Sequence, residues 1–358
     1  MSRPVLYVAV TAHGFGHAVR SASIVAEVIR LNPEILPIMV TTSPRWLLES
    51  YIDGEFIHRP RGYDVGVIQA DSIRMDKEAT GEKWRLIRGK QNPIVAGEVD
   101  FIRTNRVGLV LADIPPLATV IARAAGVPCW MVGNFGWDFI YEDWGTQFQE
   151  LTAWIRQCYG YCDRLFKLPL AESMSSFPVI TEAGLTGGNP RFTPEDMRAK
   201  FPIKAPPEKT VLLTFGGLGL QAIPYENIKK FPDWQFITFD TNAPDLPNLI
   251  KVSGISYRPV DFMPLCGRII SKPGYSTFAE ALRLDIPIVS LIREGFAESP
   301  ILLSGIEQYS HHQIIDTETF FNRDWQFLHR PLQPSRSFLK LPKNGSEFIA
   351  KAIVDFFS

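Results

Sequence analysis

The sequence has few cysteines and no excess of charge of either sign. Its 358 residues contain four Cys, and 37 basic residues stand against 38 acidic ones. No two cysteines form a C-x-x-C pair and none has a histidine at zinc-ligand spacing, so the sequence predicts reduced thiols and no metal site. The balanced charge gives no electrostatic reason to expect a nucleic-acid partner.

Neither a membrane-spanning apolar run nor a leader segment is predicted. A strand-like run begins at residue 5, which predicts that there is no signal peptide. The longest apolar runs are broken by charges or prolines, so no transmembrane helix is predicted. With 46% apolar residues the composition is that of a globular protein. We expect the protein to be cytoplasmic, and peripheral contact with a membrane surface is compatible with this expectation.

Strand-like and helical runs alternate along the chain, and the alternation occurs twice. The strand-like runs lie at 5–10, 35–40, 56–57, 108–113, 127–132, 164–168, 210–214, 234–239, 249–252, 268–271 and 286–291. Such alternation predicts βαβ units and parallel sheets. Residues 61–83 are polar and irregular and are predicted as a loop, and a helix is predicted at about 84–105.

The restart of the pattern predicts an α/β chain of two doubly wound, Rossmann-like domains that face each other across a cleft. The predicted segments are a first domain at 1–185, a Gly- and Pro-rich linker at 186–208, a second domain at 209–342 and a closing helical segment at 343–358. Ligands of such sheets bind at the carboxyl ends of the strands. The loops that follow the strands are therefore the informative ones.

The loop at 272–280 lies between a strand-like run and a helical run. It brings cationic, small and hydroxyl residues to a helix start, namely Lys272, Gly274, Ser276 and Thr277. Free N–H groups and the positive end of the helix dipole suit a phosphate there. Glu280 is a further candidate for donor binding, but Thr277 and Glu280 also fit a capping box, which by itself would explain both side chains.

Two further stretches of the second half are candidates for donor binding. Gly216 and Gly217 follow a buried strand, where backbone N–H groups can face a phosphate, although the glycines also suit a simple turn. Glu298 lies in the polar stretch at 293–299, which follows the strand-like run at 286–291. A carboxylate there can bind the hydroxyl pair of a ribose or of a sugar.

The first loop, at 11–17, contains two histidines and two glycines. The G-x-G-x-x-G fingerprint would need a third glycine where Val19 stands, so a nicotinamide cofactor is not expected. Gly14, Phe15 and Gly16 let a substrate approach the backbone, or they only permit a tight turn. Either His17 or His13 is a candidate general base near neutral pH.

Asp113 ends a strand that is otherwise apolar. A carboxylate at this position can orient the loop histidine and polarise it, or it can bind the acceptor. It can equally act as the N-cap of the next helix.

An aromatic-rich loop is predicted at 133–144, after another strand. Asn134, Trp137 and Asp138 lie among its aromatic residues, an arrangement that suits stacking against a sugar ring or an apolar acceptor. In the alternative interpretation, the same residues pack in the core against the following helix.

Three of these stretches resemble the GT-B glycosyltransferases. They are T-A-H-G-F-G-H-A-V-R at 11–20, N-F-G-W-D-F-I-Y at 134–141 and S-K-P-G-Y-S-T-F-A-E-A at 271–281. The resemblance is to the branch of the bacterial lipid-intermediate N-acetylglucosaminyltransferase and to the glycosyltransferase-like N-terminal half of plant arabinokinase. It implies that the second domain holds a nucleotide-sugar donor and that the first binds the acceptor.

The resemblance also implies roles for single residues. Gly274, Ser276 and Thr277 would hold the diphosphate, the backbone around Phe262 and Met263 would meet the base, and Glu298 would bind ribose or sugar. His17 would be the base, and the final helix would cross back towards the first domain. No metal and no cofactor are implied, since the nucleotide sugar is a substrate.

The predicted function is an inverting, hexosyl- or N-acetylhexosaminyl-type glycosyltransferase with a UDP-linked donor and a small-molecule or lipid-linked acceptor. Two departures bear on the donor. The glycine loop at 215–219 lacks the family's Ser/Thr-Gly-Gly pattern, and the stretch at 293–299 replaces the usual Asp-Gln pair. The alternatives are a non-catalytic nucleotide-sugar-binding or regulatory protein and a nucleotide-sugar epimerase on the same fold.

Overall fold

Two parallel β-sheets organise the chain, and a computed structural model describes residues 3–69, 75–216, 219–220 and 223–358. Within these residues the first sheet consists of β1 (Val5–Val10), β2 (Leu36–Val40), β3 (Ile57–Arg59), β4 (Leu109–Asp113), β5 (Cys129–Gly133), β6 (Arg164–Lys167) and β7 (Ile180–Glu182). The second consists of β8 (Thr210–Leu213), β9 (Gln235–Thr238), β10 (Leu249–Lys251), β11 (Arg268–Ser271), β12 (Ile288–Leu291) and β13 (His312–Ile315).

The two sheets have equivalent strand orders. The first runs β3-β2-β1-β4-β5-β6-β7 and the second β10-β9-β8-β11-β12-β13. Every neighbouring pair is parallel. The order reverses between β1 and β4 and again between β8 and β11, and such reversal points are where doubly wound sheets bind ligands. The predicted pair of doubly wound α/β sheets is confirmed.

Helices connect the strands. In the part of the chain that the structure describes they are α1 (Gly16–Leu31), α2 (Arg45–Glu49), α3 (Lys77–Gly89), α4 (Gln91–Thr104), α5 (Leu117–Ala125), α6 (Trp137–Glu142), α7 (Gln149–Tyr159), α8 (Pro194–Lys200), α9 (Pro259–Phe262), α10 (Tyr275–Arg283), α11 (Glu298–Tyr309), α12 (Thr317–Asn322) and α13 (Gly345–Phe357).

One hydrophobic core runs through both halves. All six residues of β1 are buried, as expected for a central parallel strand covered on both faces. Ile349 and Ile353 of α13 lie in the same buried cluster as Val25 of α1 and Leu212 of β8. The last helix therefore packs against α1, the helix that carries the first candidate loop.

The predicted loop at 61–83 and the single helix at about 84–105 are wrong in their bounds. Helix α3 already begins at Lys77, and α4 follows it after a break at Lys90. The Asp76 side chain accepts a hydrogen bond from the N–H of Ala79 and so caps α3. The high charge of this helix conceals its period, because only Thr80 and Trp84 are buried.

The aromatic loop predicted at 133–144 is also partly wrong, because α6 forms inside it. Trp137 and Tyr141 point into the core and are buried. Strands β7 and β13 were not predicted. His312 is buried in β13, whereas His311 is exposed.

A helix must be long and apolar to cross a membrane. Within the described residues, no helix is both long and apolar enough to cross a membrane.

Candidate active site

A cleft between the sheets collects loops that follow the central strands. From the first half it is lined by His13, Gly14, Phe15, Gly16, His17, Arg20, Gln69 and Phe135. From the second half it is lined by Phe215, Gly216, Ser271, Lys272, Pro273, Gly274, Tyr275, Ser276, Thr277, Arg293 and Glu298. Most of these residues follow a strand at its carboxyl end, so the cleft lies at the two reversal points of the sheets.

His17 and Asp113 meet because β1 and β4 are neighbours. Val10 pairs with Asp113 in the parallel register, and His17 lies in the first turn of the helix that follows β1. The Nδ1 atom of His17 lies 2.7 Å from Oδ1 of Asp113. Asp113 is completely buried, while His17 borders the cleft. The structure thus brings together both residues that were predicted to be catalytic.

Arg20 is the residue of this group that the sequence did not reveal. It lies one turn after His17 on α1 and is buried. Its Nε and Nη2 atoms each donate to one Asp113 carboxylate oxygen at 2.5 Å. Burial acts to raise the pKa of Asp113, but Arg20 and His17 outweigh it and hold that pKa at about 2. The signal for Arg20 was its i+3 spacing from His17, which puts both side chains on one face of the helix.

The charge on Asp113 decides the tautomer of His17. Nη2 of Arg20 also lies near Nδ1 of His17, at 2.9 Å, but it already donates to the carboxylate. A hydrogen bond from Nδ1–H to an ionised carboxylate is stronger than one that a neutral ring nitrogen would accept. We therefore assign the proton to Nδ1, which leaves a lone pair on Nε2.

The loop before α1 needs its glycines. Gly14 has φ 58°, in the left-handed region that suits glycine. A Cβ on Gly16 would lie 3.1 Å from Oγ of Ser276 in the other half of the chain. The predicted residues Gly14, Phe15 and Gly16 all line the cleft, and Gly16 permits the close approach of α10.

Asn134 and Glu298 form a bridge between the halves. The Asn134 side chain accepts a hydrogen bond from Nη1 of Arg20 at 2.8 Å and donates one to Oε1 of Glu298 at 2.7 Å. Both side chains are buried. The sequence placed Asn134 with the acceptor and Glu298 with the donor. The structure joins them into one network that begins at Asp113.

Helix α10 begins at the cleft with Gly274 as its N-cap. Among the described residues no side chain caps it, so the N–H groups of its first turn have no partner within the helix. These groups and the dipole suit an anion. The Ser276 hydroxyl donates to the Gly16 carbonyl at 2.7 Å, which ties α10 to the first half and leaves its amide for a ligand.

Lys272 adds a positive charge beside this helix start. Burial, with a smaller contribution from Arg293, lowers the pKa of Lys272 to about 7. An anion bound in the cleft would favour the charged form again. Gly216 lines the same part of the cleft, whereas Gly217, also predicted there, lies outside the described residues.

Trp137 and Asp138 do not line the cleft. Trp137 is buried behind it, and its indole N–H donates to Oγ1 of Thr11 at 2.9 Å. Asp138 accepts a hydrogen bond from the Ser176 hydroxyl and lies 3.5 Å from Nε of Arg156. Both residues lie behind the wall of the cleft. This agrees with the alternative interpretation, in which they pack in the core.

Phe262 and Met263 are buried in the core as well. Their side chains have no exposed surface, and Phe262 packs against the rings of Phe201, Phe239 and Tyr257. Neither residue lines the cleft. The prediction assigned a base contact to the backbone there, and it remains a prediction.

Glu280 has a structural contact in place of the predicted capping box. The helix begins at Tyr275, so Thr277 and Glu280 do not cap it, and the capping-box prediction is wrong. The Glu280 carboxylate accepts hydrogen bonds from the Gly188 N–H at 3.0 Å and from the Tyr51 hydroxyl at 3.3 Å. It therefore fastens α10 to the segment at 186–208 and to the first half of the chain.

Glu280→Gln should change how stability depends on pH. Burial raises the pKa of Glu280 from 4.5 to about 7. Its neutral form therefore stabilises the fold at pH 4.5, and this contribution is lost as the pH rises through 7. We expect the melting temperature of the variant, relative to the wild type, to rise between pH 5 and pH 8. A difference that does not depend on pH would contradict the assignment. Glu318→Gln, at an exposed site, is the control.

Comparisons with known proteins agree with this architecture. No protein-family model matches the chain. The L-arabinokinase of Arabidopsis thaliana is 29% identical over 311 residues, which cover 84% of this chain. The chain spans 29% of the length of that relative.

Solved glycosyltransferases superpose on nearly the whole chain. UGT71G1 of Medicago truncatula, solved with UDP-glucose, has a TM-score of 0.62 at 11% identity and covers 100% of this chain and 99% of its own. CalG4, the calicheamicin glycosyltransferase, has a TM-score of 0.60 at 13% identity, with coverages of 99% and 95%. The chain has the GT-B fold. In this GT-B chain the cleft with His17 and the start of α10 lies between the two sheets.

Proposed function

We propose that the GT-B chain is an inverting glycosyltransferase that moves a sugar from a nucleoside-diphosphate donor to an acceptor hydroxyl. One observation carries the proposal. His17, which is held by Asp113, and the open start of α10 border the same cleft from opposite halves. A base on one side and an anion site on the other are what transfer from a nucleotide sugar requires.

The proposed reaction uses both sides of the cleft. Nε2 of His17 takes the proton of the acceptor hydroxyl, and Asp113 stabilises the imidazolium that forms. The hydroxyl oxygen attacks the anomeric carbon from the side opposite the diphosphate, so the configuration inverts. The diphosphate leaves towards the N–H groups of α10 and the ammonium of Lys272, which stabilise its charge.

The relatives support the donor class. UGT71G1 was solved with UDP-glucose, and UGT89C1 of Arabidopsis thaliana was solved with UDP. For this chain we propose a UDP-linked hexose or N-acetylhexosamine as the donor. The proposed acceptor is a small molecule or a lipid-linked one reached by peripheral contact with a membrane.

A thermal-shift screen against UDP, GDP, TDP and CDP, followed by their sugars, tests the donor site. A ligand at 100 times its Kd should stabilise the fold by about 2.7 kcal/mol. Lys272→Gln should weaken UDP binding roughly tenfold or more, because it removes a charged hydrogen-bond donor. Lys340→Gln, at an exposed position, should leave binding unchanged. If no nucleotide stabilises the wild type, the donor site is wrong.

Nucleotide release separates transfer from binding alone. Free UDP that is produced from a UDP-sugar only when an acceptor is added supports transfer. Tight binding without product under any acceptor supports a binding or regulatory protein. A changed sugar without any acceptor supports an epimerase.

A further inference from the structure

His13 is held with its proton on Nε2. Its Nδ1 accepts a hydrogen bond from the backbone N–H of Val67, at 3.2 Å. Because a peptide N–H can only donate, Nδ1 carries a lone pair and the proton of the neutral ring lies on Nε2. Burial lowers the pKa of His13 well below its usual value, and the charges of His17, Arg293 and Lys272 act in the same direction.

Aromatic contacts fix the ring at the cleft. Phe296 stacks on it with ring centres 5.8 Å apart, and Trp137 meets it edge-on at 5.2 Å. His13 lines the cleft, and within the described residues nothing accepts a hydrogen bond from its Nε2. A rigid donor with no protein partner inside a cleft is suited to an oxygen atom of a ligand.

His17 presents the complementary atom close by. Its Nε2 carries a lone pair, since Nδ1–H is directed at Asp113. The ring centres of His13 and His17 are 6.0 Å apart. With hydrogen bonds of about 2.8 Å, two rings at this distance can contact two oxygens on adjacent carbons of one molecule.

We infer that His13 donates its Nε2–H to the oxygen adjacent to the hydroxyl that His17 deprotonates. This inference rests on the proposed function and names the class of acceptor, which is a sugar or another polyol with neighbouring oxygens. The donor diphosphate has its own partners at α10 and Lys272. An acceptor with one isolated hydroxyl would leave the N–H of His13 unpaired. A site built to hydrogen-bond a substrate group discriminates against substrates that lack this group.

Nitrogen-15 NMR of the histidine-labelled chain tests the tautomers without any substrate. At pH 7 we expect His13 to be protonated on Nε2 and His17 on Nδ1. His13→Phe and His17→Ala assign the signals by their loss. A neutral His13 with its proton on Nδ1 overturns the inference, and so does a doubly protonated His13 ring at pH 7.

A UDP-release assay with UDP-glucose tests the ligand contact. Methyl hexopyranosides, which have neighbouring hydroxyls, are compared with p-nitrophenol, which has one isolated hydroxyl. We expect the wild type to favour the hexopyranosides roughly tenfold or more in kcat/KM. His13→Phe keeps the stacked ring but lacks the N–H, so it should lose this preference through a higher KM. His13→Gln should restore part of it, because its amide can donate near the same position.

Four results decide against the inference. Equal use of both acceptor types by the wild type contradicts it, and so does an unchanged preference in His13→Phe, while in both cases the glycosyltransferase function stands. A loss of UDP affinity in His13→Phe would assign the residue to the donor site. If no nucleotide raises the melting temperature of the wild type, the proposed function fails and the acceptor assignment fails with it.

Discussion

Replacing His17 by alanine should abolish measurable glycosyl transfer while UDP binding stays within about twofold of the wild type. A general base contributes roughly 10²–10⁴-fold to a rate. His17 has the position for this role, because it borders the cleft and its Nδ1 is fixed by Asp113. The donor partners lie on α10 and at Lys272 in the other half of the chain, so the substitution does not touch them. Single-turnover transfer rates and a UDP titration measure the two effects.

His311→Ala is the matched control for this substitution, because His311 is exposed and lies outside the cleft. It should transfer at the wild-type rate. Normal turnover in His17→Ala would remove His17 as the base. A parallel loss of UDP affinity would show that the residue holds the donor instead. Either result would require a different base among the cleft residues.

Much of the fold could be predicted from local patterns. The runs that became β1, β4, β8 and β11 are rich in apolar residues, and each is a largely buried strand in the structure. Strand followed by loop followed by helix is a local signal, so the positions of the candidate loops followed from it. The parallel order then brought residues 17 and 113, which are 96 positions apart, into contact.

The network around Asp113 could not be predicted in the same way. Its members Arg20, Asn134 and Glu298 come from three different segments, and their contacts depend on how the two halves pack. Arg20 looks in the sequence like a solvated residue of an amphipathic helix. Its contacts with Asp113, Asn134 and Tyr275, which come from other segments, bury it in the folded chain.

Glu280 shows why a local pattern can mislead. The residues at 277–280 match a capping box, yet the helix starts two residues before Thr277 and the carboxylate contacts Gly188 and Tyr51. A distant backbone N–H competes with the local partner, and tertiary packing decides between them.

Asp113→Ala should destabilise the fold by roughly 3–5 kcal/mol, because it leaves a buried guanidinium without its counter-charge. Arg20 is buried, and Asp113 accepts its two shortest hydrogen bonds. Urea unfolding of the wild type and the variant measures the loss. Ser21→Ala is the control, since it removes only the 3.1 Å contact to the same carboxylate and should cost about 1 kcal/mol.

The double variant Arg20→Met/Asp113→Leu separates the charge from the packing. If the loss in Asp113→Ala comes from the unpaired Arg20, the double variant should be more stable than the single one, because it buries no charge. This explanation would be contradicted by a double variant whose loss of stability equals the sum of the losses in Arg20→Met alone and Asp113→Leu alone. Asp113 has a pKa of about 2, below its usual 3.8. Its contribution is therefore present above pH 4 and lost as the pH falls through 2, and that acid loss should be absent from the double variant.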